Sequence, residues 1–143
     1  MAHELMFDNL DPYLARLRRL ALAFPDAEEV VSHGRPWFRA RKAFAVYGAT
    51  TKGPAGERRA YPHALVVLAE ESERLALEAD PRSFVPAYLG AYGWLGLDLA
   101  DGGTAPDDVD WAEVAELLDD SHRQVAQPRL VARLDAEGGP AGS

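Results

Sequence analysis

The chain of 143 residues has no cysteine. Disulfides, thiolate metal sites and cysteine nucleophiles are therefore excluded. The absence fits a cytoplasmic address, which is the expectation here. No apolar run reaches 18 residues, so no membrane-spanning helix and no membrane partner are expected. The opening Met-Ala-His-Glu-Leu-Met-Phe-Asp lacks a basic stretch followed by an apolar one, so it does not read as a signal peptide. No internal repeat is visible. The phosphate-cradling motifs G-x-x-x-x-G-K-[ST] and G-x-G-x-x-G and the nucleophile elbow G-x-S-x-G are all missing. No cofactor is expected, and the chain is not expected to be an enzyme.

The titratable residues are also poorly arranged for chemistry. His3, His33, His63 and His122 are the only histidines. None lies three or four residues from another, so no helical metal pair exists. Ser121 and His122 are adjacent, and adjacent helical residues diverge by about 100°, so they do not face each other. Asp107, Asp108 and Asp110 do not follow a calcium-loop spacing and fit the charged start of a helix. His33, Arg35 and Lys42, near Gly34, are the one polar group that an undetected enzyme would use.

What the chain does have is an uneven charge. The net charge is −8, from 15 basic and 23 acidic residues. Residues 1–63 carry +3 and residues 64–143 carry −11. Within Gly34–Arg59 lie Arg35, Arg39, Arg41, Lys42, Lys52, Arg58 and Arg59 against Glu57 alone, a net of +6. Overall acidity excludes indiscriminate nucleic-acid coating. A one-sided contact with an anionic partner stays open, as does neutralisation of the basic run by the acidic half on folding.

The local pattern gives helices and short strands in one domain, residues 1–134, followed by a Gly/Ala/Pro-rich tail, 135–143, expected to be disordered. Asp11 and Pro12 start a helix with Leu10, Leu14, Leu17, Leu20 or Ala21, and Phe24 on one stripe, and Pro25 stops it. Strands are expected at 29–33, 37–40 and 43–47, the last with Phe44 and Val46 on one face and Ala45 and Tyr47 on the other. Gly48 to His63 reads as a long mobile loop. The apolar run Ala64–Ala69 reads as a buried central strand. A short helix covers 71–79, and 81–90 is an irregular link. In 93–99, Leu95, Leu97 and Leu99 share one face, opposite Trp94, Gly96 and Asp98. Asp110 and Glu113 resemble a capping box. The helix behind them carries Trp111, Val114, Ala115, Leu118, His122 and Val125 on one stripe. Pro128 ends that helix or starts a brief final one through Leu134.

Several segments, taken in order, resemble the MmcQ/YjbR family. They are Phe24-Pro25-Asp26-Ala27-Glu28-Glu29, Gly34-Arg35-Pro36-Trp37-Phe38, Lys42-Ala43-Phe44-Ala45, Asp80 through Gly90, Gly93-Trp94-Leu95, Asp110-Trp111 and Leu117 through Ser121. The resemblance spans about Leu10 to Leu134. It implies a two-layer α+β fold: an antiparallel sheet with helices packed on one face, in the order α-β-β-β-β-α-β-α, similar to frataxin-like and secretion-chaperone-like folds. It also carries a DNA-binding label, linked to a double-wing arrangement, although fold does not fix function. The family pattern often has Tyr where this chain has His122.

Two functional expectations follow. One is weak, salt-sensitive DNA binding, with Arg35, Arg39, Arg41, Lys42, Lys52, Arg58 and Arg59 on phosphates and Trp37, Phe38, Tyr47 and Tyr61 interleaved. In it the Gly48–His63 loop serves as a wing. Trp37 and Phe38 point to opposite faces of a strand, so at least one belongs to the core. The other is a non-enzymatic protein-interaction or small-anion-binding module, with Trp37, Tyr88, Tyr92 and Trp94 lining a candidate pocket.

Overall fold

The structure, a computed structural model, describes residues 5–52 and 56–141, the Lys52 side chain excepted. His3, the tip of the expected loop and the last two residues of the expected tail lie outside the described residues. Four helices and six strands form an α+β fold: α1 (Pro12–Ala21), β1 (Glu28–Ser32), β2 (Arg35–Ala40), β3 (Lys42–Lys52), β4 (Arg58–Leu68), α2 (Glu71–Ala79), β5 (Ser83–Phe84), β6 (Trp94–Asp98), α3 (Trp111–Val125) and α4 (Pro128–Glu137). The six strands make one sheet in the order β1-β2-β3-β4-β6-β5, antiparallel at every pairing. No helix among the described residues is long and apolar enough to cross a membrane.

One face of the sheet is sealed by helices. Asp11 caps α1 by accepting from the Tyr13 N–H at 2.9 Å, and Pro12 fills the first turn. Leu14, Leu17 and Ala21 of α1, Val114 and Leu118 of α3, and Leu130 and Leu134 of α4 join Phe38, Tyr47, Leu65, Val67, Leu97 and Leu99 of the sheet in one buried core. Leu10 is no part of that stripe: it precedes the helix and is 88% exposed. At α3 the Glu113 N–H donates to Asp110 Oδ1 at 3.1 Å. The Glu113 carboxylate, however, reaches Arg82 and does not close the box. Ser121, fully buried, staples α3 to the sheet: its hydroxyl donates to the Phe44 carbonyl and accepts from the Leu68 N–H.

Three expectations are corrected. Gly48–His63 is not a loop, because β3 continues to Lys52 and β4 begins at Arg58, making a long hairpin. Gly48 and Pro62 sit at a bulge, where the register shifts between Tyr47 and Ala49. Gly48 takes φ +85° there, and a Cβ on it would meet the Arg35 guanidinium at 2.4 Å. Phe44 does not share a face with Val46. A register shift opposite Phe38/Arg39 turns Phe44 into the helix-side core with Ala45 and Tyr47. The last helix continues through Glu137, three residues into the stretch read as tail, and Asp135 pairs with Arg123 at 2.7 Å.

The other face carries a smaller apolar cluster of Val46, Ala49 and Val66, with Trp37, Phe84, Leu89 and Trp94 packed against it. The link after β5 covers it. Phe84 lies against Gly96, where any Cβ would clash at 2.3 Å, and stacks on Tyr61 at 3.9 Å. Ala87 N–H then donates to the Thr50 carbonyl of β3 at 2.8 Å. The link ends in a 3-10 turn, Leu89–Tyr92.

Candidate functional site

The fold separates the charges that the sequence left open. Of the six expected basic residues whose side chains are described, only Arg39 has an ion pair among the described residues. Its partner is Glu28 at 2.7 Å, directly across the β1–β2 register. Such an exposed pair is worth about 0–1 kcal/mol. The acidic residues of the second half are instead used mostly by arginines of that half: Arg82 takes Asp80 and Glu113, Arg123 takes Asp119 and Asp135, and Arg74 takes Glu78. No helix carboxylate meets the basic run among the described residues.

The run does not form one patch, however. Arg41, at φ +70°, and Lys42 are exposed at the β2–β3 turn, while Lys52, Arg58 and Arg59 lie at the far end of the β3–β4 hairpin. At about 3.3 Å per residue, the two ends of β3 are about 30 Å apart. The suggested grouping of His33, Arg35 and Lys42 is likewise undone: Arg35 pairs with Ser32 at one end of β2, and Lys42 with Ala40 at the other.

Arg35 stands out. Its guanidinium folds over Gly48, half-buried, on the face away from α1, α3 and α4. It has no carboxylate partner among the described residues, and burial alone pushes its pKa down from the ordinary arginine value. Two residues along the same face, the Trp37 indole N–H is buried without an acceptor among the described residues. Both groups are donors. Farther out, Arg59 lies over the Tyr61 ring at 4.9 Å, and that ring stacks on Phe84.

The expected pocket of Trp37, Tyr88, Tyr92 and Trp94 is not assembled. The two tryptophans pack into the small cluster, where Phe84 and Leu89 occupy the space between elements. Tyr88 and Tyr92 stand in solvent, 80% and 78% exposed. Tyr88 is also held at φ +66°, a conformation costly for a residue with a bulky side chain. Trp37 and Phe38 do divide between faces: Phe38 is fully buried in the helix-side core.

A second polar group lies on the helix side, and sequence reasoning passed over it. Asp11, Tyr47 and His63 come from the α1 cap, β3 and β4. The Tyr47 hydroxyl donates to Asp11 Oδ2 at 2.5 Å, and His63 Nδ1 lies 2.9 Å from the same oxygen and 2.8 Å from the Tyr47 hydroxyl. Tyr47 is fully buried, and burial, followed by the hydrogen bond and charge of Asp11, drives its pKa far above the ordinary phenol value. Tyr13 packs on the imidazole at 4.5 Å. No local pattern signals this group, because its members are 36 and 16 residues apart.

His122 and Ser121 form no catalytic pair. His122 is fully buried against Phe24 and Phe44, with centroids at 4.9 and 5.3 Å, and both its nitrogens lack partners among the described residues. No cluster of three or more metal-ligating side chains occurs among the described residues.

An antiparallel sheet sealed by α1, α3 and α4 on one face, with a smaller apolar cluster on the other, defines a small α+β protein. The family model described as YjbR matches residues 22–124, and the chain belongs to the YjbR family. No curated protein and no solved structure matches it.

Proposed function

We propose that the chain is a non-enzymatic protein that binds nucleic acid weakly, through the sheet face away from α1, α3 and α4 and the arm of the β3–β4 hairpin. The observation that carries this reading is Arg35. A half-buried guanidinium without a carboxylate is unfavourable unless an anion completes it. Arg58 and Arg59 extend the same charge along the hairpin, which takes the place of the expected wing loop. Exposed Tyr88 and Tyr92 offer rings to unpaired bases, and such stacking is worth about 1–3 kcal/mol per base. The reading therefore favours single strands over duplex. Arg41 and Lys42 are left outside the contact by their distance, and Arg39 by Glu28.

Fluorescence anisotropy with a labelled 20-nucleotide single strand and the matching duplex tests this. Binding of the single strand in the micromolar range at low salt is expected. The double reversal Arg58→Glu/Arg59→Glu, on exposed residues, should abolish it. Absence of binding to either nucleic acid, or binding indifferent to the reversal, overturns the proposal.

A second reading rests on the half-burial of Arg35 itself: a site for a small oxyanion. Saturable binding of sulfate that survives the hairpin reversal but is lost in Arg35→Gln favours it.

A further inference from the structure

On the helix side, Met6, Phe7, Leu10, Pro12 and Pro62 wall an open groove of about 450 Å³ that also includes Asp8, Asp11 and His63. We propose that this groove binds a small organic cation, an alkyl- or arylammonium ion, recognised by His63 Nε2 and the two aspartates. The argument begins with proton placement. Asp11 Oδ1 accepts from the Tyr13 N–H, and Oδ2 faces both the Tyr47 hydroxyl and His63 Nδ1. A bare Nδ1 lone pair would be repelled at 2.9 Å from a carboxylate oxygen, so Nδ1 carries the hydrogen. In the neutral ring Nε2 then keeps its lone pair. This nitrogen has no partner among the described residues and is not buried; the side chain is 35% exposed and lines the groove. The ring is fixed by Asp11, Tyr47 and the Tyr13 face, so the acceptor is pre-oriented.

The charge of the groove selects the ligand class. Its lining holds two carboxylates and no lysine or arginine. Arg18, whose charge couples to Asp11, is held by Glu29 and by Asn9. Asp98 adds negative potential at Tyr47. An ammonium N–H donates to Nε2 while its charge faces Asp8 and Asp11. Its hydrocarbon body covers Met6 and Leu10, which are 53% and 88% exposed. The volume is within the range of small-molecule sites, about 300–1,000 Å³.

The test is an NMR titration of the full-length isotope-labelled chain with 2-phenylethylamine and with its acid counterpart, 3-phenylpropionate. The expected result is a saturable shift of the His63 ring signals with the amine and none with the acid. Asp8→Asn and Leu10→Arg alter exposed positions outside the core, and each should weaken the amine about five-fold or more. His63→Gln should remove binding. Equal binding of amine and acid, no response at 10 mM amine (on the order of the weakest useful affinity), or binding unchanged in Asp8→Asn and Leu10→Arg overturns the proposal.

Discussion

His122 makes the stability of this protein depend on pH in a way that can be isolated. The ring is fully buried between Phe24 and Phe44, and neither nitrogen has a partner among the described residues. Burial lowers its pKa from the ordinary value of 6.5, opposed by the smaller effect of Asp119 and reinforced by that of Arg123 on the same helix. The native state thus resists the proton that the unfolded chain accepts. Above about pH 6.5 the ring is neutral in both states and contributes no pH dependence. As the pH falls below that value the unfolded state binds more protons, and stability drops until the folded pKa is reached. The slope approaches about 1.4 kcal/mol per pH unit. Complete exclusion of the proton through pH 5 sets the ceiling of this loss, about 2 kcal/mol between pH 7 and pH 5. With an unfolding entropy of about 2.1 cal/mol/K per residue, that is a fall in Tm of about 6–7 °C. Other groups titrate in the same interval, so the quantity to measure is a difference. Urea unfolding of wild type, His122→Leu and His122→Phe across pH 5–8 should show the variants losing less stability than wild type toward pH 5, by up to about 2 kcal/mol. Parallel profiles would refute the reasoning, because they would mean that His122 takes up its proton in the native state.

Other substitutions test the remaining structure. Asp11→Ala removes the α1 cap and the carboxylate that accepts from the buried Tyr47 hydroxyl, which should cost about 2–4 kcal/mol by urea unfolding. Ser121→Ala leaves the Phe44 carbonyl and the Leu68 N–H without their bridge and should cost about 1–3 kcal/mol in the same assay. Gly96→Ala drives a methyl group into Phe84 and should destabilise by about 1–3 kcal/mol, with a change in near-ultraviolet dichroism as the Tyr61–Phe84 stack opens.

Much of the fold was legible where a local rule and the tertiary structure agree. Asp11 and Pro12 marked the start of α1, the alternation of Leu95, Leu97 and Leu99 located the buried face of β6, and the run Ala64–Ala69 lay in a central strand. The misreadings share a cause. Gly48 and Pro62 signal a break in one dimension, but a bulge lets a strand carry both and still pair with its neighbour. The same device turned Phe44 to the other face. The basic residues were legible as a stretch, but not their division between two ends of β3, which only the hairpin length reveals. The Asp11–Tyr47–His63 group was not legible at all, since three distant elements bring it together.

The central claim is that phosphate contacts from the unpaired arginines bind a nucleic acid strand. The salt dependence of single-strand affinity, measured by anisotropy, tests it most directly. Three or four contacts predict a slope of log K against log salt of about −2 to −3, and each arginine removed should reduce its magnitude by about 0.7. Arg35→Gln and Arg58→Glu/Arg59→Glu should therefore flatten the line. No measurable binding at low salt, or a slope that none of these substitutions changes, would contradict the account.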